Sequence, residues 1–189
     1  MVAELRRTAL MLLVLTVITG LVYPGLVTGI AQLMRERADG SLIQRDGKLV
    51  GSELIGQPFS RPGYFWSRPS ATSPQSYNGM SSSGSNLGPT NPALVDAVKD
   101  RIAALRAADP DNKSVIPVDL VTASASGLDP HISPAAAAYQ VGRVARERKL
   151  DPEKVRALVA QYSDGRTWGI LGDSRVNVLR LNLALDALK

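Results

Sequence analysis

The most pronounced feature of the hydropathy pattern is an uninterrupted apolar run near the start of the sequence. No charged side chain occurs from Thr8 to Met34. Membrane hydrocarbon is about 30 Å thick, and about 20 apolar residues cross it as a helix. At about 1.5 Å per residue, the run would extend over roughly 40 Å. The pattern predicts a single transmembrane helix over residues 8–34, preceded by a short segment of residues 1–7.

The apolar run contains one expected distortion, at Tyr23-Pro24-Gly25. Pro24 has no N–H, and its ring clashes with the carbonyl four residues earlier, so we expect a kink there. Gly25 and Gly29 have the spacing that lets two membrane helices approach closely. Two interpretations remain open, a tolerated bend or a helix shaped to bind other membrane helices. In the second, Tyr23 and Pro24 are candidate partner-binding residues.

The charges that flank the run predict its orientation. Arg6 and Arg7 outweigh Glu4 before it, and positive charge beside a first span stays on the cytoplasmic side. We therefore expect a single-pass protein of the cell (inner) membrane, with a cytoplasmic N-terminus and residues 35–189 extracytoplasmic or periplasmic. A cleaved signal peptide is the rival interpretation, but the run exceeds a signal core and no A-x-A-like site follows it.

After the run, turn signals separate short apolar segments from longer segments with the helical period. Asp46-Gly47 is a preferred dipeptide for a two-residue hairpin turn, and Asn91-Pro92 combines a capping side chain with a proline at the first helical position. In order, we predict a hairpin over 41–56, a helix over 92–109, a strand over 117–122, helices over 135–149 and 153–162, and a strand then a short helix over 175–185. Residues 35–189 are thus predicted to form one mixed α+β domain.

Two stretches of this domain lack a regular period. Residues 70–92 are rich in Ser, Gly, Asn and Pro, which is typical of a flexible linker. An ordered, hydrogen-bonded excursion is the alternative, because long loops in small domains are often functional. Tyr64, Phe65 and Trp66 cluster near Arg61 and Arg68. They indicate either a local core with an arginine stacked on a ring, or a contact surface for another protein.

Composition excludes several classes of function. The chain has no cysteine and one histidine, so thiol catalysis, disulfides and zinc clusters are not expected. The net charge of +5 is not concentrated in a basic patch, which disfavours nucleic-acid binding. Residues 165–172, GRTWGILG, have three glycines but no following lysine, so no phosphate cradle is predicted. His131 precedes a predicted helix and is interpreted as a structural hydrogen-bonding group.

The main enzymatic alternative is a membrane-anchored extracytoplasmic serine hydrolase. Ser81, Ser82, Ser83 and Ser85 offer hydroxyl groups. A Ser/Lys pair needs a lysine in apolar surroundings, and the lysines of this chain lie in polar or helix-surface sequence. The serines also lack a G-x-S-x-G turn between a strand and a helix. We therefore expect neither catalytic residues nor metal ligands in this chain.

Six blocks in this order resemble the C-subunit family of Kdp-type potassium-transporting P-type ATPases, KdpC, over essentially the whole chain. The blocks are the apolar span with Tyr23-Pro24-Gly25, then residues 51–57, residues 64–69, residues 77–79 with 83–92, residues 125–134, and residues 176–179 with 181–182. The resemblance implies one membrane span and an extracytoplasmic domain in a non-catalytic subunit.

The resemblance further implies three partners in the same complex: a channel-like potassium-binding subunit, an ATP-hydrolysing P-type subunit and a small membrane subunit. It implies a role in assembly and as a catalytic chaperone that raises the ATP affinity of the hydrolytic subunit. ATP contact would fall on Ser124, Ser126, Gly127 and Gln140. The predicted topology conflicts with direct contact, because these residues would face away from cytoplasmic ATP.

Within the domain, we expect the partner contact to lie in the aromatic segment and in the polar loop. The candidate partner-binding residues of the domain are Tyr64, Phe65, Trp66, Arg68, Tyr77, Asn78, Asn86 and Asn91. The Asn, Ser and backbone groups of the loop are expected to hydrogen-bond the extracellular face of a partner, and aromatic residues and Arg are typical anchors of protein interfaces.

Overall fold

The structure is a computed structural model that describes residues 1–188, so the Lys189 end of the predicted domain lies outside the described residues. It divides into two compact units, residues 1–42 and the residues from Ile43 onward. The first unit contains a continuous helical stretch, Val2–Ala38, with a mean hydropathy of 2.3 in its most apolar window and no buried residue in that window. This stretch is long and apolar enough to cross a membrane, as predicted.

The first unit is not one regular helix. Helices α1 (Val2–Val17) and α2 (Tyr23–Ala31) are joined by a π-helical turn, Ile18–Val22, and a 3₁₀ turn leads to the short helix α3 (Arg35–Ala38). The Tyr23 N–H donates to the Ile18 carbonyl, one residue further back than in an α-helix. A local π turn is a known way to accommodate a membrane-helix proline, and Pro24 follows directly. The irregularity next to Pro24 is therefore a π turn over residues 18–22, and a kink at Pro24 stays a prediction.

The second unit is the mixed α+β domain that the pattern predicts. Its helices are α4 (Pro92–Ala108), α5 (Pro134–Arg148), α6 (Pro152–Gln161) and α7 (Val178–Ala187). Its strands are β1 (Leu42–Arg45), which starts at the unit boundary, β2 (Lys48–Ser52), β3 (His131–Ile132), β4 (Ser163–Asp164) and β5 (Arg175–Asn177). β1 and β2 form one two-stranded sheet, and the other three form a small sheet in the order β3-β5-β4.

The predicted local signals act as expected. Asp46 and Gly47 both have positive φ, the conformation that a type I′ hairpin turn requires. Asn91, Ser133 and Asp151 each accept a hydrogen bond from the first turn of the following helix. These caps satisfy N–H groups that a helix start leaves without partners, and they set the starts of α4, α5 and α6.

One predicted element is wrong. Residues 117–122 were predicted as a strand, but Val118–Leu120 forms a 3₁₀ turn. The Thr122 hydroxyl donates to the Val118 carbonyl at 2.8 Å, which stabilises the turn locally. The Asp119 carboxylate accepts from the N–H of Ser133 at 2.7 Å and from its hydroxyl at 3.1 Å. A β-rich composition gives a strand only when a neighbouring strand is available for pairing.

The core lies between α5, α6, α7 and the three-stranded sheet. Its largest fully buried apolar side chains are Phe65, Ile132, Leu181, Leu185, Val144, Val155, Val176 and Val178. β5 is the central strand, and pairs antiparallel with β3 and β4. Phe65 comes from a segment with no regular structure, so the core depends on holding that segment in place.

Candidate functional site

The aromatic segment, residues 61–68, is held by the side-chain amides of two helices. Gln140 on α5 accepts the N–H of Trp66 at 2.7 Å and donates to its carbonyl at 3.1 Å. Asn182 on α7 accepts the N–H of Phe65 at 2.9 Å and donates to its carbonyl at 3.0 Å. Both amides are 1% exposed. The main-chain N–H and carbonyl groups of Phe65 and Trp66 thus have the hydrogen-bond partners that a neighbouring strand would otherwise supply.

A buried arginine completes this arrangement. Arg143, 2% exposed, donates to the carbonyls of Pro62 and Tyr64 and to Gln140 Oε1 at 2.6 Å. Its guanidinium lies 4.6 Å from the centroid of the Trp66 ring. Burial lowers the pKa of Arg143 to about 10, so the group stays charged at neutral pH. Carbonyl groups and a ring face stabilise this charge.

Two arginine guanidiniums lie close to the Tyr64 ring. The Arg61 and Arg148 guanidiniums are 4.6 Å and 4.5 Å from the centroid of its ring, so the expected stacking of an arginine on a ring is found at Arg61. The Tyr64 hydroxyl donates to Asp186 at 3.0 Å, and Arg148 pairs with the same carboxylate at 2.7 Å. Arg68 pairs instead with Asp129 at 3.1 Å.

The polar loop of residues 70–92 is an ordered excursion rather than a free linker in its first half. The Ser70 hydroxyl donates to the Gly127 carbonyl at 2.7 Å and accepts the N–H of Tyr77 at 2.9 Å. The Tyr77 hydroxyl donates to the Arg68 carbonyl. Burial raises the pKa of Tyr77 to about 12. Tyr77 therefore fastens the loop to the aromatic segment.

The candidate asparagines have different surroundings. Asn78 bonds within its own turn, with the Ser73 carbonyl and the Met80 N–H. Asn91 caps α4. Asn86 is exposed and has a positive φ of 52°. Of the three, Asn86 presents its side chain most freely to a partner.

The turn of residues 124–127, to which the family resemblance assigns nucleotide contact, is packed against the polar loop. The Ser126 carbonyl accepts from the Ser83 N–H and the Ser82 hydroxyl, both at 3.0 Å. The Gly127 N–H donates to the Ser124 hydroxyl at 2.9 Å. A phosphate cradle binds through free N–H groups, and the N–H groups of Gly127 and Leu128 already donate to hydroxyls of the turn itself.

Gln140 is likewise engaged on every side. Besides its bonds with Trp66 and Arg143, its amide donates to the Ala136 carbonyl at 3.2 Å. An amide side chain has two donor hydrogens and one acceptor oxygen, and here all of them have partners inside the domain. Contact with ATP would require Gln140 to break these bonds.

Two of the four serine hydroxyls considered for a hydrolase, and the side chains of His131 and Asp129, have partners within the domain. The Ser82 and Ser83 hydroxyls donate to main-chain carbonyls. His131 Nδ1 lies 3.4 Å from Asp129 Oδ1. Burial raises the pKa of Asp129, but hydrogen bonds from His131 and the charge of Arg68 outweigh burial and lower it. No group of three or more His, Cys, Asp or Glu among residues 1–188 is arranged to hold a metal ion.

One exposed apolar feature was not anticipated as a site. Trp168 is 84% exposed, Ile170 73% and Leu171 52%, and they belong to the GRTWGILG segment that was considered only as a phosphate cradle. The sequence signal for it is weak: a tryptophan and two aliphatic residues stand among three glycines, and no local pattern shows that they are exposed.

One exposed apolar helix long enough to cross a membrane, followed by a small mixed domain, is the architecture of a membrane-anchored α+β protein. The family model of KdpC, the c chain of K⁺-transporting ATPase, matches residues 5–187. The chain therefore belongs to the KdpC family of potassium-transporting ATPase subunits, as the resemblance implied.

Full-length relatives agree with this assignment. The chain is similar to proteins described as the potassium-transporting ATPase KdpC subunit from Dechloromonas aromatica and Methylococcus capsulatus. The first is 66% identical, covering 97% of both chains, and the second is 63% identical, covering 100% of both. Membership of this family identifies an accessory chain of an ATPase complex and argues against the serine hydrolase.

Proposed function

We propose that the chain is a non-catalytic accessory subunit of the high-affinity ATP-driven potassium transport complex, and that it acts in assembly and stabilisation of that complex. Its partners are the channel-like potassium-binding subunit, the ATP-hydrolysing P-type subunit and the small membrane subunit. The observation that carries the proposal is the full-length family match. The engagement of Gln140 and of the residue 124–127 turn within the domain supports it, because these groups serve the fold rather than a ligand.

The proposed orientation places the N-terminus in the cytoplasm and the α+β domain outside it. Arg6 and Arg7 support this orientation through the preference of positive charge for the cytoplasmic side. Tyr23, Pro24 and the π turn before them lie in the membrane span, where an irregular helix surface is available to neighbouring helices. Tyr23 is 66% exposed within its unit.

We further propose that any effect on ATP affinity is indirect. In this orientation, a bilayer separates the domain from cytoplasmic ATP, and Gln140 is already committed to Trp66 and Arg143. A subunit that binds one conformation of its partner more tightly shifts the partner's conformational equilibrium, and with it the partner's affinity for ATP. The proposed catalytic-chaperone role thus needs no nucleotide on this chain.

Co-purification tests the assembly role. The full-length chain, tagged and expressed with the other subunits of its ATPase, should purify with all of them in mild detergent. Replacing residues 8–34 with an unrelated transmembrane segment should reduce their recovery if the span contributes to the interface. Failure of the unmodified chain to recover any of these subunits would contradict the proposal.

Thiol labelling tests the orientation. The chain has no cysteine, so a single Lys113→Cys or Ala3→Cys variant carries the only reactive thiol. Both positions are exposed. A membrane-impermeant maleimide should label Lys113→Cys in intact cells or spheroplasts, and Ala3→Cys only after lysis. The reverse pattern would place the domain in the cytoplasm and reopen direct contact with ATP.

A further inference from the structure

The Trp168 turn, residues 166–173, presents an apolar surface that the domain itself does not cover. Trp168, Ile170 and Leu171 are all more than half exposed. The other tryptophan, Trp66, is partly buried against the core, stacks with Arg143 and bonds to the Arg61 carbonyl through its indole N–H at 3.1 Å. Large apolar side chains exposed together mark interaction sites more often than singly exposed ones do.

The Trp168 turn is preorganised. Thr167 and Leu171 exchange main-chain hydrogen bonds at 2.9 Å and 3.0 Å. Trp168 has φ +54° and Gly169 φ +76°, and a bulky residue in this region is strained. The structure therefore maintains an unfavourable backbone conformation that turns an indole toward the outside. A fixed shape lowers the entropy lost on binding.

The turn is also rooted in the core. It connects β4 and β5, whose antiparallel pairing places Asp164 opposite Arg175 and Ser163 opposite Val176. Val176 is completely buried. Both ends of the turn are thus held by strands that pair with each other.

We propose that the Trp168 turn docks into an apolar cleft on the extracytoplasmic face of another protein subunit of the same ATPase, with the Trp168 indole as the anchor. This inference rests on the proposed function, because it takes the domain to be extracytoplasmic and part of the complex. Tryptophan is among the residues most enriched at the energetic centres of protein interfaces.

The charges around the turn favour a protein over a lipid surface. Arg166 and Asp173 pair with each other at 3.2 Å, and Asp164 and Arg175 face each other on the paired strands. The segment therefore has balanced charge, whereas the interfacial helices and juxtamembrane segments that bind anionic membranes are rich in Lys and Arg. A lipid interface also needs no fixed backbone shape, whereas a cleft does.

Photocrosslinking in the assembled complex tests this inference. Trp168→benzoylphenylalanine is introduced into the full-length chain, which is expressed with the other subunits and irradiated in native membranes. Lys99→benzoylphenylalanine on α4 is the matched control, since the Lys99 side chain is 70% exposed and far along the chain. We expect a crosslink from position 168 to a surface peptide of one other subunit, identified by mass spectrometry, and no such product from position 99.

The outcomes separate the two proposals. Crosslinks from position 168 only to lipid or to a second copy of this chain, with the complex still co-purifying, would overturn the docking proposal and leave the accessory function standing. The same holds if position 168 gives no crosslink in a complex that co-purifies. If the unmodified chain does not co-purify, both proposals fail.

A binding measurement provides a second criterion. We expect Trp168→Ala to weaken association of the full chain with a complex purified without it by roughly 30-fold or more, and Trp168→Phe to weaken it less. Trp66 fluorescence should be the same in both variants, which shows that the domain remains folded. Equal affinities for the original chain and Trp168→Ala would overturn the assignment of Trp168 as the anchor.

Discussion

Gln140 and Asn182, on different helices, hold consecutive residues of one irregular segment in the same way. Each uses its amide carbonyl to accept a main-chain N–H and its amide nitrogen to donate to the carbonyl of the same residue. The two contacts fix Phe65, which is completely buried, between α5 and α7. They replace the strand that would otherwise satisfy this main chain.

The first prediction concerns these two amides. Gln140→Ala and Asn182→Ala should each lower the free energy of unfolding of the domain by about 3 kcal/mol, because each leaves buried main-chain groups without partners. Urea unfolding of the full-length chain in detergent measures this. Trp66 fluorescence serves as the probe in a Trp168→Phe background. Gln161→Ala at an exposed helix position is the control and should change stability by less than about 0.5 kcal/mol.

The same pair distinguishes a structural role of Gln140 from nucleotide contact. In the assembled complex, a structural role predicts that Gln140→Ala and Asn182→Ala change the KM for ATP alike, because both loosen the same segment. Direct contact predicts that only Gln140→Ala raises it. A selective effect of Gln140→Ala would contradict our interpretation.

Gly127 provides a second prediction. It has φ +65°, and a Cβ there would lie 2.5 Å from the Ser83 carbonyl oxygen and 2.6 Å from Thr72 Cγ2. Gly127→Ala should therefore cost about 3 kcal/mol or more of stability. Gly142 on α5 has no neighbour within 4 Å of such a Cβ, and Gly142→Ala should stabilise the domain by up to about 1 kcal/mol. Thermal unfolding of both variants measures this contrast. Unfolding temperatures that shift in the same direction in both variants would contradict it.

The sequence predicts those parts of the fold that depend on neighbouring residues. The start of α5 follows from Ser133 and the proline after it, and the first hairpin follows from Asp46-Gly47. The capping bond and the two positive φ angles confirm both. The local chemistry of each signal is complete within a few residues, so tertiary packing did not override it.

Features that depend on distant residues were not predicted. Gln140 and Trp66 are 74 residues apart in the chain, and Asn182 and Phe65 are 117 apart. No local pattern shows that these amides have main-chain partners. Similarly, the 117–122 segment has the composition of a strand, but Asp119 is used to hold Ser133 at the start of α5. The exposure of Trp168 depends on how β4 and β5 pair.

Tyr77 predicts a change of stability at high pH. Burial raises its pKa to about 12, whereas an unfolded tyrosine ionises near about 10. Its stabilising contribution is therefore complete below pH about 10 and is lost as pH rises from there through about 12. Tyr77→Phe should be less stable at neutral pH by about 1 kcal/mol, since the bond to the Arg68 carbonyl is lost. The free energy of unfolding of this variant should also fall less steeply between pH about 10 and about 12.

Absorbance titration of the phenolates checks the assignment of this effect. The chain has five tyrosines, and Tyr77→Phe should remove one late-ionising group. Tyr23→Phe, in the membrane span, is the control and should leave the alkaline decline of domain stability unchanged. An unaltered decline in Tyr77→Phe would show that another group causes it.

Asp186 predicts the corresponding change at low pH. Burial raises its pKa, but hydrogen bonds from Arg148 and Tyr64 and the charge of Arg148 outweigh burial and hold the pKa below its usual value. The pKa of Asp186 is lower in the folded than in the unfolded protein. Its stabilising contribution is therefore present above pH about 4 and is lost as pH falls through the folded pKa. Asp186→Asn should thus destabilise the domain at pH 7 by about 2 kcal/mol and should make the loss of stability at acid pH less steep.

Asp96→Asn is the control, because Asp96 is 71% exposed and its pairing with Lys99 should contribute less than about 1 kcal/mol. Urea unfolding between pH 7 and pH 2 measures both variants, and parallel acid declines for Asp186→Asn and the original chain would contradict the assignment.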